Sequence, residues 1–181
     1  MVEIRLLESD DWQGLFDLIE TVDKKMVGMC SESEELVEDW INTIVMGLWE
    51  VYVAILPQEE IKKEQKRFIR KILPWKFLKD NPSGIVGLVT LYGDWQEDED
   101  IEEGEYDIGV SVAKPFHRRG LGKKLMSFIL QRGKELKFKK ATLWTRVDNH
   151  SMIILAEKMN FIECGKRTRY GYNWVKYYKE L

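Results

Sequence analysis

The sequence predicts an α/β fold (α+β layered), in which helices pack on both faces of a mixed, mostly antiparallel central sheet. Three observations support this prediction. The chain has 181 residues, enough for one domain with its own apolar core. Its composition, 44% apolar and 33% charged, is that of a globular protein. Helical apolar stripes alternate with strand-like runs that follow one another directly, a pattern typical of mixed layered folds.

The amino-terminal half is predicted to contain one strand, two helices and two further strands. Residues 2–7 alternate between apolar and polar side chains, as a half-buried strand does. The stretch Ser9-Asp10-Asp11 and the residue Ser33 are expected to provide the N-caps of two helices, because each precedes apolar residues at helical spacing. Apolar, β-branched runs predict the next two strands. The predicted elements are strand 2–7, helix 9–22, helix 33–44, strand 49–56 and strand 84–92.

The carboxy-terminal half is predicted to add four strands and two helices. A turn rich in arginine and glycine separates an apolar strand from a helix that ends near Leu136. The final 21 residues, 161–181, contain two alternating runs that predict closing strands. No internal repeat occurs. The predicted elements are strand 106–113, a helix to about 136, strand 141–146, helix 149–159, strand 161–168 and strand 170–178.

Residues 57–83 form a basic insertion between two predicted strands within a single domain of residues 1–181. The segment is too long for an ordinary connection. Ile61, Phe68, Ile72 and Trp75 fall on one helical stripe among six basic residues. A surface helix packed by its apolar stripe is the simplest interpretation. A lid, a partner surface or an anion-binding site remains open.

Charge and cysteine content exclude several classes of protein. The net charge of −3 gives no reason to expect a nucleic-acid partner. Cys30 and Cys164 are the two cysteines, and they have no metal-site spacing. No apolar run reaches the ~18 residues that predict a membrane span, and residues 1–5 do not resemble a signal peptide. We therefore expect a cytoplasmic protein with reduced thiols and no metal.

The turn His117–Lys124 is the most informative segment of the sequence. A helix start leaves backbone amides unpaired, and glycines and arginines there suit a bound phosphate. A P-loop requires a hydroxyl after Gly122-Lys123, but Lys124 stands there. A dinucleotide fingerprint requires a third glycine, but Leu125 stands there. Both nucleotide motifs therefore fail.

The turn instead resembles the acyl-CoA-binding motif of the GNAT superfamily of N-acetyltransferases, Arg/Gln-x-x-Gly-x-Gly/Ala. Gly120 and Gly122 match the pattern, while His117 departs from it at the first position. About 30 residues further on, Asn149 and the segment 155–161 resemble the family's Asn…Glu-Lys-x-Gly-Phe signature. The order of elements also matches, so the resemblance covers essentially the whole chain and implies the acyl-CoA N-acyltransferase fold.

The resemblance implies acetyl-CoA as the cofactor and assigns residues to it. The strand segment would pair with the pantetheine arm, the turn would take the pyrophosphate, and the asparagine would contact the cofactor from another side. The cofactor-binding residues implied are Val110, Ser111, Val112, Arg118, Arg119, Gly120, Leu121, Gly122, Lys123 and Asn149.

The acid and base of the reaction are less well defined by the resemblance. Trp144 and Ala156 stand where many members carry a glutamate and a tyrosine. Glu105 and Asp107 share one face of a predicted strand by period two, so either is a candidate base. Their alternative role is to line an acidic loop. Tyr106 and Tyr170 are candidate acids, which the sequence does not place.

The resemblance implies transfer of an acetyl group to a primary amine, by direct attack in a ternary complex. Nine acidic residues between Asp94 and Asp107 favour a cationic acceptor: a small amine, a polyamine or a peptide N-terminus. One alternative is a catalytically silent CoA-binding sensor or partner-binding module. Another is an anionic-surface or nucleic-acid binder acting through 57–83. The sequence leaves the oligomeric state open, and a homodimer paired through the strand 174–178 is one alternative.

Overall fold

The structure is a computed structural model that describes residues 2–22, 32–45, 50–68, 83–93 and 101–181. It confirms the predicted fold class. In chain order the elements are β1 (Glu3–Leu6), α1 (Trp12–Glu20), α2 (Ser33–Val45), β2 (Glu50–Ile55), α3 (Gln58–Phe68), β3 (Ile85–Gly93), β4 (Glu105–Val112), α4 (Leu121–Glu135), β5 (Lys140–Arg146), α5 (His150–Lys158), β6 (Ile162–Arg169) and β7 (Tyr172–Glu180). Within the described ranges, no helix is both long enough and apolar enough to cross a membrane.

The described strands form one sheet of seven in the order β1-β2-β3-β4-β5-β7-β6. Neighbouring strands are antiparallel except β4 and β5, which are parallel. The connection between these two strands is α4, as a parallel pair requires a crossover. The parallel pair therefore lies near the middle of an otherwise antiparallel sheet.

Helices cover both faces of the sheet at β2 and β3, whose residues are almost all buried. Tyr52 of β2 packs edge-on against Phe128 of α4, with ring centroids 4.8 Å apart. Val51 and Val53, fully buried, alternate with Tyr52 and so face the opposite side. There α1 contacts β3 and α2 contacts β2. Such burial on two faces explains why these strands are continuously apolar.

Tyr106 anchors β4 to α4. Its side chain is fully buried, and its hydroxyl donates to the Ile129 carbonyl at 3.1 Å. A Cβ added at Gly133 would lie 2.5 Å from the Tyr106 ring, so the glycine leaves room for the tyrosine. Burial raises the pKa of Tyr106. Tyr106 is therefore a core residue and not a candidate acid.

The N-cap of α1 is Asp11, which lies within the predicted stretch Ser9-Asp10-Asp11. Ser9 begins a short 3₁₀ turn, Ser9–Asp11, which Glu8 caps. The Asp11 carboxylate accepts two hydrogen bonds from Arg5, at 2.7 and 2.8 Å, and one from the Glu8 amide at 2.9 Å. These three hydrogen bonds fix Arg5 and the Glu8 backbone against Asp11, immediately before α1 begins at Trp12.

The strand 174–178 has no free edge for pairing across a homodimer. Those residues lie in β7, which pairs with β5 on one edge and with β6 on the other. A strand with both edges occupied has no backbone groups left for a third strand. The edge strand at this end of the sheet is β6.

The basic segment 57–83 and the acidic run 94–107 are described in part. Helix α3 forms the first part of the basic segment, and Ile61 is buried as the predicted stripe requires. The side chains of Phe68, Ile72 and Trp75 lie outside the described residues, as do residues 94–100. The alternatives for the basic segment, a lid, a partner surface or an anion-binding site, therefore stay open.

Candidate functional site

A gap opens in the sheet between β4 and β5. The strand β4 is 8 residues long, yet it pairs with β5 only at Glu105↔Lys140, Tyr106↔Ala141 and Asp107↔Thr142. Beyond Asp107, no described strand pairs with this edge of β4. Apart from the Val112 carbonyl, which accepts from His117 Nε2, the backbone groups on this edge can therefore hydrogen-bond an extended ligand as a further strand would. The predicted segment Val110–Val112 lies on this edge.

The turn between β4 and α4 exposes its cationic residues. Arg118 and Gly120 both have left-handed backbones, with φ of 59° and 80°, and Arg118 and Arg119 are exposed. His117 Nε2 donates to the Val112 carbonyl at 2.8 Å. The histidine thereby ties the turn to the end of β4.

The first turn of α4 offers unpaired backbone amides next to these arginines. The first intrahelical bond runs from the Lys124 amide to the Gly120 carbonyl at 3.0 Å. The three preceding amides of the helix, from Leu121 to Lys123, have no intrahelical acceptor. The Leu121 side chain is buried, so it can contribute only its amide. A Cβ at Gly120 would meet no atom within 4 Å, which leaves open space in front of the turn.

A shallow cavity lies beside the turn and makes this part of the surface concave. Its volume is about 240 Å³. The Arg119 guanidinium lies 5.1 Å from the centre of the Phe116 ring at its edge. The cavity thus combines an apolar floor with a cationic rim. Its lining residues are Val2, Leu56, Phe116, Arg119, Gly120, Leu121 and Lys124.

Asn149 is the N-cap of α5. Its Oδ1 accepts a hydrogen bond from the Met152 amide at 3.2 Å. A Cβ at Gly122 would approach Leu155 Cδ2 to 3.2 Å, so the start of α4 packs closely on α5. The structure thus gives Asn149 a capping role, and its predicted contact with the cofactor stays a prediction.

The two candidate bases have different surroundings. Glu105 is 3% exposed; it accepts a hydrogen bond from Lys140, and Lys176 Nζ lies 4.0 Å away. Burial acts to raise the pKa of Glu105, but the hydrogen bond from Lys140 and a backbone amide outweigh it and lower the pKa. A carboxylate held in this way is a weak base.

Asp107 lies at the point where β4 and β5 separate. It is half-buried and accepts a hydrogen bond from Thr142 Oγ1 at 3.0 Å. Because Tyr106 faces α4, its neighbour Asp107 faces the opposite side of the sheet. Asp107 is therefore the candidate base that lies next to the gap, on the face away from α4. Sequence reasoning missed Thr142, because a parallel register cannot be read from the two strands alone.

Three residues bear on the acid of the reaction: Trp144 and Ala156, which depart from the family pattern, and the candidate acid Tyr170. Ala156 is fully buried in α5 and carries no hydroxyl. Trp144 lies on β5, two residues beyond Thr142 and on the same face. Tyr170 is 62% exposed in the turn between β6 and β7. None of the three takes the place of a buried acid.

A group of cations and aromatic rings continues from Trp144 across β5, β7 and β6. The Arg167 guanidinium lies 3.9 Å from the Trp144 ring centre, and Lys176 Nζ lies 5.9 Å from it. Arg146 lies 3.8 Å from the Tyr172 ring centre. Sequence reasoning missed this group, because its members lie on three strands whose order the sequence does not give. We call Trp144, Arg146, Arg167, Tyr172 and Lys176 the cation–aromatic layer.

No metal site is apparent in the part of the chain that the structure describes. No group of three or more His, Cys, Asp or Glu side chains lies close enough there to hold an ion. The donors around the gap are backbone amides, arginines and lysines, which suit anions rather than cations.

Comparison with known proteins identifies relatives of this arrangement. Residues 38–161 match the model of the acetyltransferase (GNAT) family. No curated protein matches the chain significantly.

Solved structures share the fold over almost the whole chain. A ribosomal-protein-alanine N-acetyltransferase from Brucella melitensis matches with a TM-score of 0.68 at 17% identity, covering 99% of both chains. A spermidine N-acetyltransferase chimera from Vibrio cholerae and hSSAT matches with a TM-score of 0.69 at 17% identity, covering 98% of this chain and 93% of the other. An acetyltransferase from Salmonella typhimurium, solved with its cofactor acetyl-CoA, matches with a TM-score of 0.67 at 12% identity, covering 99% and 94%.

Proposed function

The chain belongs to the GNAT family of acetyltransferases, and from this premise we propose that it transfers the acetyl group of acetyl-CoA to a primary amine by direct attack in a ternary complex. The acceptor is a small amine, a polyamine or a peptide N-terminus. The structural neighbours include enzymes named for a ribosomal-protein alanine and for spermidine. The substrates in these names differ, so they support an amine as the acceptor but do not identify which amine it is. The whole of residues 1–181 acts as one domain in this proposal.

The observation that carries the proposal is the free edge of β4 beside the exposed turn at the start of α4. Backbone groups of Val110, Ser111 and Val112 would pair with the amide-containing arm of coenzyme A. The amides of Leu121, Gly122 and Lys123, with Arg118 and Arg119, would bind its pyrophosphate, and Asn149 would contact it near α5. The open space at Gly120 fits a bulky anion. The donor set therefore fits this cofactor.

The residues next to the gap would act on the amine. Acetyl-CoA supplies an acyl group activated as a thioester. At physiological pH a primary amine is protonated to an ammonium ion, so it must lose one proton before its nitrogen can attack. Asp107 would accept that proton, directly or through water, and Thr142 would orient the carboxylate through their 3.0 Å hydrogen bond. Glu105, held by Lys140, would fix the geometry of the strand pair instead.

A second candidate function is coenzyme A binding without catalysis. It rests on Trp144 and Ala156, which replace residues with acid–base capacity. The two functions predict the same cofactor site and differ in turnover, so one pair of measurements separates them.

Thermal denaturation and thiol release test the proposal together. We expect millimolar acetyl-CoA to raise the melting temperature, and a panel of amines to release coenzyme A. Asp107→Asn should keep the melting shift and lose most of the release. An unchanged melting temperature would contradict the cofactor site. A melting shift without release for any amine would favour the silent binder.

A further inference from the structure

We propose that Gly109 is a specificity-determining residue of the acceptor site, and that the acceptor is a primary amine at the end of an elongated chain that crosses β4 at this glycine. The inference rests on the proposed function and deepens it, because it adds a requirement for length to the requirement for an amine. An alkylamine, a polyamine and a peptide main chain share this shape, and separate substrate series distinguish them.

Gly109 is the exposed residue of a central strand. The strand β4 is the fourth of seven in the sheet, and Gly109 is the only exposed one of its 8 residues. A glycine inside a strand weakens it and often marks a place where a ligand approaches the backbone closely. The surface above Gly109 is therefore open at the middle of a sheet that is buried on either side.

The open surface lies on the same face of the sheet as the candidate base. Asp107 precedes Gly109 by two residues, so both face away from α4, about 7 Å apart for a rise of ~3.3 Å per residue. In the other direction along β4, Glu105 is buried and ion-paired with Lys140, so that side is filled. A chain whose nitrogen reaches Asp107 therefore continues over Gly109.

Gly109 contributes space to this face and not a hydrogen bond. Its amide donates to Thr90 Oγ1 at 3.0 Å on the paired strand β3, so the amide is directed away from the gap. A Cβ at Gly109 would lie 2.6 Å from Thr90 Oγ1 and 3.8 Å or more from other atoms of the described residues. A side chain would displace the Thr90 hydroxyl and also occupy the space above the strand.

Trp144, a member of the cation–aromatic layer, bounds this space across the gap. Asp107 pairs with Thr142, and Trp144 follows Thr142 by two residues as Gly109 follows Asp107, so Trp144 and Gly109 lie opposite each other. The Arg167 guanidinium lies 3.9 Å from the Trp144 ring centre, and such a cation–π contact holds the ring in place. We call the space between Gly109 and Trp144 the acceptor slot.

The acceptor slot selects amines by the length of their chain. An amine with one or two carbons ends before it reaches Gly109. A longer chain packs against the glycine backbone and the indole, and its apolar surface leaves water. Each CH2 group buried in this way is worth about fourfold in affinity, so several of them produce a measurable preference.

Two series of amines test the inference through kcat/KM. The first compares ethylamine with hexylamine and spermidine, and the second compares alaninamide with trialaninamide. The wild type should prefer a longer member of at least one series by about 10-fold or more. The amine that shows the preference identifies the chain as alkyl, polyamine or peptide.

Variants at Gly109 and Thr90 separate occupation of the slot from strain in the sheet. Gly109→Ala should lower kcat/KM for the longer amine about 10-fold or more and leave the shorter amine within about twofold, the effect of one methyl group in a fitted pocket. Thr90→Ala should keep the preference. The double variant Gly109→Ala/Thr90→Ala lacks the 2.6 Å contact but keeps the methyl group, so it should still lose the preference.

Two further variants locate the slot. Trp144→Ala, which removes the wall, should reduce the preference for the longer amine. Gly165→Ala is the matched control, because Gly165 lies in the edge strand β6, where a Cβ would make an ordinary contact with Lys176 Cβ at 3.6 Å. It should keep the preference. Melting curves establish that each variant is folded before its kinetics are compared.

The outcomes separate this inference from the proposed function. Turnover without a preference for length overturns the slot and leaves the acetyltransferase intact. An equal loss for short and long amines in Gly109→Ala, or recovery of the preference in the double variant, also overturns it. If no amine turns over, calorimetric titration of hexylamine and of trialaninamide into the coenzyme A complex decides: binding weakened in Gly109→Ala supports the slot, and no binding overturns it.

Discussion

Two glycines in equivalent backbone states allow the anion-binding turn to be tested against a matched control. Gly120 and Gly171 have φ of 80° and 74°, and a Cβ at either would meet no atom within 4 Å. Substitution by glutamate therefore imposes the same left-handed strain at both, about 1–2 kcal/mol. For a chain of this size that cost lowers the melting temperature by about 2–8 °C. We expect similar losses of stability in both variants.

Only the variant at Gly120 should lose the cofactor. Its new carboxylate would lie in front of the free amides of α4, where the pyrophosphate is proposed to bind. Loss of one or two charge-assisted hydrogen bonds costs about 1.5–3 kcal/mol each, so we expect affinity for acetyl-CoA to fall by a factor of about 10 to 100 or more. Gly171→Glu should bind as the wild type does.

Isothermal titration with acetyl-CoA at fixed ionic strength measures this difference. Melting curves without ligand confirm that both variants remain folded and equally strained. Equal affinity for acetyl-CoA in Gly120→Glu, Gly171→Glu and the wild type would refute the assignment of the turn as the pyrophosphate site.

Three further predictions concern the core, the base and the buried ion pair. Gly133→Ala should lower the free energy of unfolding in urea by about 1–3 kcal/mol, because its Cβ would lie 2.5 Å from the Tyr106 ring; unchanged stability would contradict the packing. Asp107→Asn should lower kcat by about 10²- to 10⁴-fold with little change in melting temperature, and wild-type turnover would exclude it as the base. The pKa of Glu105 is lowered in the folded state, so its contribution to stability is present above its unfolded pKa and is lost as pH falls through the lower, folded value. Acid denaturation curves should therefore show a smaller loss of stability below about pH 4.5 in Glu105→Gln than in the wild type, and identical pH dependence would contradict this.

Sequence patterns predicted the elements well because local periodicity determines them. The turn from His117 to Gly120 was recognisable, since glycines and arginines before a helix suit a bound anion. The sheet order was not, because pairing between distant strands leaves no local pattern. Thus β7, read as a free terminal strand, lies between β5 and β6.

The candidate site was predictable only on its cofactor side. Gly120 and Gly122 identify the turn, because their spacing in the sequence matches the acyl-CoA-binding motif. The acceptor side depends on which strands become neighbours. Glu105 and Asp107 look alike in the sequence, and only the register with β5 places Lys140 beside one and Thr142 beside the other. The contact between Arg167 and Trp144 likewise joins two strands separated by β7.

Hydrogen–deuterium exchange with and without acetyl-CoA tests the central claim most directly, because it reports where the cofactor binds as well as whether it does. We predict that acetyl-CoA slows exchange of amides in residues 108–112, on the free edge of β4, and in residues 118–123, at the start of α4. Amides of the edge strand β6 should exchange as before. Unchanged exchange in both predicted segments, or protection confined to residues 58–68 of α3, would contradict the account.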